Sequence, residues 1–336
     1  MRQRMVFGLI FLSFMLAITP VARPSATSFT IDYPGALVTW PLGVNNAGTV
    51  VGYYADNAGI HGFVFQGAGS TGRYASVDVP GSIQTEIHGI NNRGVTVGVF
   101  WDAQGNQHGF VHNGRDFTKG YTTVNVPFAD CCTSVLGVNS RGDIVGTYWA
   151  SNGLHGFVHH GRDFTKGYTT VDVVGAYETT PSGINTAGVI VGKYHDTSYQ
   201  LHGFKMVRGV VTTLDVSNAT VPAPLPGTTE VNGINRSGAI VGDYLDTAYT
   251  FDGFVSRATA FSPFTYPKAV VTFPKGISDK GEIVGIEYDG GSTFHGFAIA
   301  APTSGGSSGG SDDDRGNGDD HGQGDHDGGD QGGEGE

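Results

Sequence analysis

The sequence predicts an all-β chain folded as a six-bladed β-propeller of four-stranded repeats, closed by an N-terminal strand. Three observations predict it. One unit recurs six times, each copy carries four strand signals, and the two ends of the array are out of phase by one strand. With 55 glycines and only 15% charged residues, the composition suits short strands joined by tight turns, and no amphipathic helix stands out.

Taken in order, the first strand of each unit runs into a Gly-Ile-Asn-type triplet. The triplets begin at Gly43, Gly89, Gly137, Gly183, Gly233 and Gly276, at spacings of 46, 48, 46, 50 and 43 residues. The Asn-x-x-Gly (Ser-x-x-Gly in the last copy) that follows is a hairpin turn. Asparagine tolerates the left-handed region there, and glycine adopts it without strain. The second strand is the I-V-G-x-Y stretch, whose interior glycine signals a bulge or a close backbone approach. The third strand contains His-Gly-Phe, begun by His61, His108, His155, His202 and His295, with Asp252 in that place in the fifth copy. The fourth is the T-T-V-D-V stretch, as in ASVDVPGS at 75–82 and TTVNVPFA at 122–129. An eleven-residue string, GRDFTKGYTTV, stands at both 114–124 and 161–171, a sign of internal duplication.

The phase of the ends predicts closure. The sixth copy stops after its third strand at HGFAIAAP (295–302), and an unpaired fourth strand, FTIDYPGA, stands at 29–36. Joining the two completes a sixth blade and removes exposed sheet edges.

Together the G-I-N-x-x-G-x-I-V-G-x-Y, H-G-F and T-T-x-D-x-P-G-A elements resemble the bacterial extracellular HAF-repeat family, named after a His-Ala-Phe tripeptide. Here that tripeptide is mostly His-Gly-Phe, and the resemblance covers about residues 28–300. It implies an exported, propeller-like protein and carries no assigned activity.

Both ends of the chain differ from the repeats. Arg2 and Arg4 followed by the apolar run 5–18 read as a secretory signal, with residues 1–26 removed. Residues 27–302 form the propeller, and 303–336 are a disordered Gly/Asp-rich acidic tail with too few apolar residues to fold. The formal net charge is −12, of which the tail carries −9, from ten acids and one arginine. The mature chain is therefore expected to be secreted, monomeric and without stable membrane insertion. No Lys/Arg stripe marks a nucleic-acid partner. Cys131 and Cys132 are adjacent, so they are two loop thiols or a vicinal bridge and not a disulfide framework.

Residues repeated in every blade are assigned to structure. His61, His108, His155, His202 and His295 are expected to form a polar network with Asp56, Asp102, Asp196, Asp246 and Asp289. Departures from the repeat are the informative positions. Three residues after the interior glycine of the second strand stand Ala55, Trp101, Trp149, His195, Leu245 and Tyr288. In a four-stranded meander that position lies at the same end as the inter-blade loops, to which Trp40, the cysteine pair and an insertion at 217–231 are assigned. The candidate ligand-binding set is thus Trp101, Trp149, His195, Trp40 and Tyr288. Rings on a solvent face suit stacking on sugars or clamping a peptide; the alternative is that Trp101 and Trp149 pack between blades. No nucleophile elbow, metalloprotease helix or phosphate loop is present, so no catalytic residue, cofactor or metal ligand is assigned. Two functions follow: an extracellular binding or surface-interaction module for a glycan or protein, or an extracellular polysaccharide lyase or hydrolase.

Overall fold

The structure, a computed structural model, describes residues 28–300 apart from 68–70, 115, 217–226, 258–259 and 292. The expected signal segment, the acidic tail and most of the 217–231 insertion lie outside the described residues.

Twenty-four strands form six four-stranded antiparallel sheets. Each blade runs A to D from the inside outward. In the first blade these are β2 (Val38–Val44), β3 (Val50–Ala55), β4 (Ile60–Gln66) and β5 (Arg73–Val77). Blades two to five repeat this order as β6–β9, β10–β13, β14–β17 and β18–β21, over residues 84–264. The sixth blade takes β22 (Val271–Ile277), β23 (Ile283–Tyr288) and β24 (Phe294–Ile299) from the C-terminal end of the array. Its outer strand is β1 (Ser28–Ile31). Ser28 pairs with Ile299 and Ile31 with Gly296, so the N-terminal strand closes the ring as the phase of the repeats predicted.

The repeated apolar positions are the core. The phenylalanine of each third strand (Phe63, Phe110, Phe157, Phe204, Phe254 and Phe297) is fully buried. So is the valine preceding each interior glycine, with Val51, Val97, Val145, Val191, Val241 and Val284 at 0% exposure. Alternation at period two puts these side chains between neighbouring sheets.

The asparagine of the Gly-Ile-Asn triplet does two jobs. Its Oδ1 accepts backbone N–H groups of its own turn, as Asn45 does from Ala47 and Thr49. Its Nδ2 donates to the next blade's equivalent backbone carbonyl. The chain runs Asn45 to Asn91 (3.3 Å), Asn91 to Asn139 (2.8 Å), Asn139 to Asn185 (3.0 Å), Asn185 to Asn235 (3.3 Å) and Asn235 to Ser278 (3.1 Å). Ser278 ends the chain because a serine has no amide to reach across. Removing such a buried group strands its partners, so Asn91→Ala should cost about 1–3 kcal/mol, readable by denaturant unfolding.

Every A strand carries a bulge immediately before its triplet glycine, between Pro41 and Gly43 in blade one and at the corresponding places in the other five. This explains the interior glycine of the B strand. A Cβ built on Gly52 would collide with the Trp40 carbonyl, and one on Gly146 with that of Ser134. The bulge also aims one side chain per blade at the axis, with consequences for the site.

Candidate functional site

The two ends of the propeller differ chemically. AB turns and CD loops form one end, and BC hairpins with the DA inter-blade loops form the other. Among the described residues, eleven of the thirteen exposed large hydrophobics lie at the BC/DA end; Val207 and Val210, in one CD turn, are the exceptions. The candidate site is therefore the BC/DA end together with the axial channel.

All five candidate ligand-binding residues stand at or near that end, each on its own blade. Trp149 is the penultimate residue of β11 (Ile144–Ala150) and is 46% exposed. Trp101, at the end of β7 (Thr96–Trp101), is half-buried in a hollow of about 420 Å³ between blades two and three. Asn106, Gln107, Asp130 and the cysteine pair share that hollow. His195 donates from Nδ1 to Glu178 Oε1 at 2.7 Å. Tyr288 lies beside Phe294, and its hydroxyl donates to the Gly291 carbonyl at 2.6 Å. Neither Trp101 nor Trp149 packs on another described ring.

Two placements differ from the sequence expectation. Trp40 is on the inner strand β2, not in an inter-blade loop, and stacks on Tyr53 with centroids 5.5 Å apart. Cys131 and Cys132 are disulfide-bonded to each other and open strand β10 (Cys131–Val138). Blade three has an extra residue there. The pairing shifts register between Cys131 and Ser134, and Cys132 takes the left-handed φ of 61° that the bulge requires.

The repeated histidines have different principal partners from those expected. Each donates from Nδ1 to the polar residue that follows the fourth strand. His61 meets Asp78 (3.0 Å), His108 Asn125 (3.0 Å), His155 Asp172 (2.8 Å), His202 Asp215 (2.8 Å) and His295 Asp32 (2.8 Å). Asp56, Asp102, Asp196, Asp246 and Asp289 chiefly cap their own BC hairpins, because a carboxylate reaches the N–H two residues on. On the Nε2 side three of these acids also meet their histidines: Asp102 lies 3.2 Å from His108, Asp196 3.5 Å from His202 and Asp56 3.8 Å from His61. Asn106 donating to Asp102, with further bonds, holds that carboxyl at about 2. Asp246 faces Asp252 instead, and burial plus that like charge pushes the Asp252 carboxyl up.

His295 joins the two ends of the chain, and its hydrogen bond to Asp32 raises its pKa against an opposing burial effect. The protonated ring is favoured in the folded protein. Its stabilisation is therefore complete below the ordinary histidine value of about 6.5 and is lost as pH rises through the raised one. The melting gap between wild type and His295→Gln should narrow over the window from about pH 6.5 up through the raised value. A gap that stays constant over that window would contradict this assignment.

The sequence reading missed the axial channel, a cavity of about 250 Å³. The bulge residues line it, and unlike the core positions they vary from blade to blade: Leu42, His88, Leu136, Ser182, Asn232 and Lys275. Counting departures at the residue before each triplet glycine, and not only on the second strand, would have found them. Around them Lys193 Nζ pairs with Glu230 at 2.9 Å, and Lys275 Nζ with Asp243 at 3.1 Å and Glu230 at 3.9 Å. Asn232 donates to Asp243 at 2.7 Å, and His88 meets Glu86 at 3.2 Å. Burial works against the Glu230 charge, but Lys193 and Lys275 outweigh it and hold Glu230 low. For Asp243, burial outweighs Lys275 and pushes the carboxyl up. Beside this network, Trp40, Phe251, Phe273 and Phe294 wall a hollow of about 330 Å³ floored by Glu230, Asp243 and Lys275. At the AB mouth Asp279 spans the axis, accepting from Asn46 (3.4 Å), Asn92 (2.8 Å) and the Arg236 backbone (2.7 Å).

Among the described residues no group of three His, Cys, Asp or Glu side chains converges as a metal site would need. The end can present flat rings, hydrogen-bonding side chains and a channel whose charges are cross-paired.

No protein-family model matches the chain, and no curated protein sequence matches it. Solved structures of similar shape include the Hadza microbial sialidase Hz136, at 11% identity and TM-score 0.49. That alignment covers 79% of this chain and 66% of the sialidase, so the chain spans slightly under two thirds of it. They also include SapL1 lectin in complex with alpha methyl fucoside, at 13% identity and TM-score 0.49, over 81% of this chain and 98% of the lectin. A third is the six-bladed β-propeller lectin of Aleuria aurantia, at 11% identity and TM-score 0.44, over 83% of this chain and 99% of the lectin.

Proposed function

We propose that the chain is a secreted glycan-binding propeller whose ligand lies across the BC/DA end. The observation that carries this reading is the gathering of exposed aromatic and aliphatic side chains at that end, with Trp149 standing open near a strand terminus. Apolar patches of this kind on a soluble chain mark interaction surfaces. Rings supply the flat apolar faces that sugar rings stack on. Asn106, Gln107 and the His195–Glu178 pair lie among them as hydrogen-bonding groups of both polarities. A screen of immobilised polysaccharides and oligosaccharides with the secreted protein tests this. The expected result is saturable retention on at least one neutral or acidic glycan. Retention on none, with a folded protein, would contradict it.

A second reading, an enzyme acting on an extracellular polysaccharide, is favoured by one observation: the channel polar groups break the repeat, as residues with a unique task do. Glu86 with His88, and Glu230 with Asp243, are its candidate acid–base groups. Release of reducing ends or of unsaturated products from a retained glycan would favour this reading. A bound glycan that stays intact would favour binding alone.

A further inference from the structure

The end opposite the aromatic face is basic. The linear sequence shows no Lys/Arg stripe because the turns of the two ends alternate along it; folding sorts them. Leaving aside the channel residues, the AB/CD end holds eleven described lysines and arginines against five acids. The BC/DA end holds thirteen acids against Lys268 alone. The ring is thus strongly polarised along its axis.

The cationic side chains are placed to act together. Arg93, Arg141, Arg236 and Lys280 stand on the AB turns of blades two, three, five and six, around the axial mouth, and all four are exposed. Arg141 is committed to Asp143 at 2.9 Å. Arg93, Arg236 and Lys280 make no ion pair among the described residues. Exposed Arg162, Arg208 and Arg257 extend the same sign outward along the CD side.

We propose that this end is a second binding surface, for an acidic polysaccharide whose regularly spaced carboxylates meet the ring of AB-turn cations. Charge complementarity carries the proposal: Arg93, Arg236 and Lys280 are exposed and outnumber the half-buried Asp279 and Glu282 on the same turns, and such cations release counterions from a polyanion and steer it in. A lipid surface fits less well, since Val207 and Val210 are the exposed large hydrophobics described at this end. A nucleic-acid duplex fits less well too, because the described elements are all strands and short turns, and none projects to enter a groove. The choice of a polysaccharide shares the extracellular setting of the proposed function but uses none of its site residues.

The test is retention of the whole protein on immobilised polygalacturonate as a function of salt, against neutral dextran. Wild type should be retained at low salt and pass through dextran freely. The variant Arg93→Gln/Arg236→Gln/Lys280→Gln should bind about tenfold or more weakly. Its plot of log affinity against log salt should be less steep by roughly 2–3, a little under one unit per charge lost. The charge-conserving Arg93→Lys/Arg236→Lys variant should bind like wild type, and the aromatic double variant Trp101→Ala/Trp149→Ala serves to show which end holds the anion. Three results would overturn the proposal: no retention of wild type at low salt, equal retention of the triple glutamine variant, or tighter binding to duplex DNA or anionic vesicles than to polygalacturonate. If the aromatic double variant loses polygalacturonate while the triple glutamine variant keeps it, the anion binds the BC/DA end and this surface is not its site.

Discussion

Deleting residues 28–36 should remove the cooperative melting transition of the ring or lower it by well over 10 °C, because four separate contacts go at once. Ile31 is fully buried against the blade-one core, and Phe29 packs on the same cluster. Tyr33 stacks on Tyr54 at 3.7 Å with planes 4° apart, and Asp32 holds His295. The strand itself closes the open edge of β24. The single change Ile31→Ala isolates one of these terms. It should cost about 2–5 kcal/mol, or roughly 5–15 °C in melting temperature for a chain of this size. Calorimetry of the three proteins side by side decides it. A deletion that melts with wild type would mean that the ring does not depend on its N-terminal strand.

The double substitution Trp101→Ala/Trp149→Ala should abolish most glycan binding and leave the fold intact. Trp149 is too exposed to anchor a core, and Trp101 touches an open hollow. If each ring stacks on a sugar, each contributes about 0.5–1.5 kcal/mol beyond the area it covers. Two losses then weaken binding by roughly 5- to 150-fold. Binding titrations together with melting curves separate the possibilities. Weak binding with an unchanged melting temperature supports the site. A large fall in melting temperature would assign the rings to blade packing, and normal binding would place the ligand elsewhere, most directly in the hollow walled by Trp40 and Phe273.

How far the sequence reached depends on whether a feature repeats locally. The blades were legible because each turn carries its own Asn-x-x-Gly and each third strand its own buried phenylalanine. Closure was legible because one strand was missing at one end and spare at the other. The bridging role of Asn91 and its equivalents was not, since its Nδ2 partner is a carbonyl 48 residues away. The Nδ1 partners of the histidines were missed for the same reason. Asp78 lies 17 residues from His61, and Asp32 lies 263 residues from His295, whereas the nearer hairpin acids looked like the obvious partners. The channel side chains escaped because a bulge breaks the period-two alternation at the residue before each triplet glycine, whereas Trp40 was singled out but placed in a loop and not on the inner strand β2. A strict strand reading cannot tell which face Lys275 or His88 presents. Axial charge polarity is invisible to a linear scan because Arg93 at one end and Asp102 at the other are only nine positions apart.

The most direct test of the account is hydrogen–deuterium exchange of the propeller with and without a retained oligosaccharide. Slowed exchange is expected in the BC hairpins and DA loops of blades two to four, around residues 101–108, 128–134, 149–155 and 195–201. The AB turns should be unchanged when the oligosaccharide is neutral. Protection by a neutral oligosaccharide confined to the AB turns around Arg93, Arg236 and Lys280, or absent from the Trp101 and Trp149 segments, would contradict it.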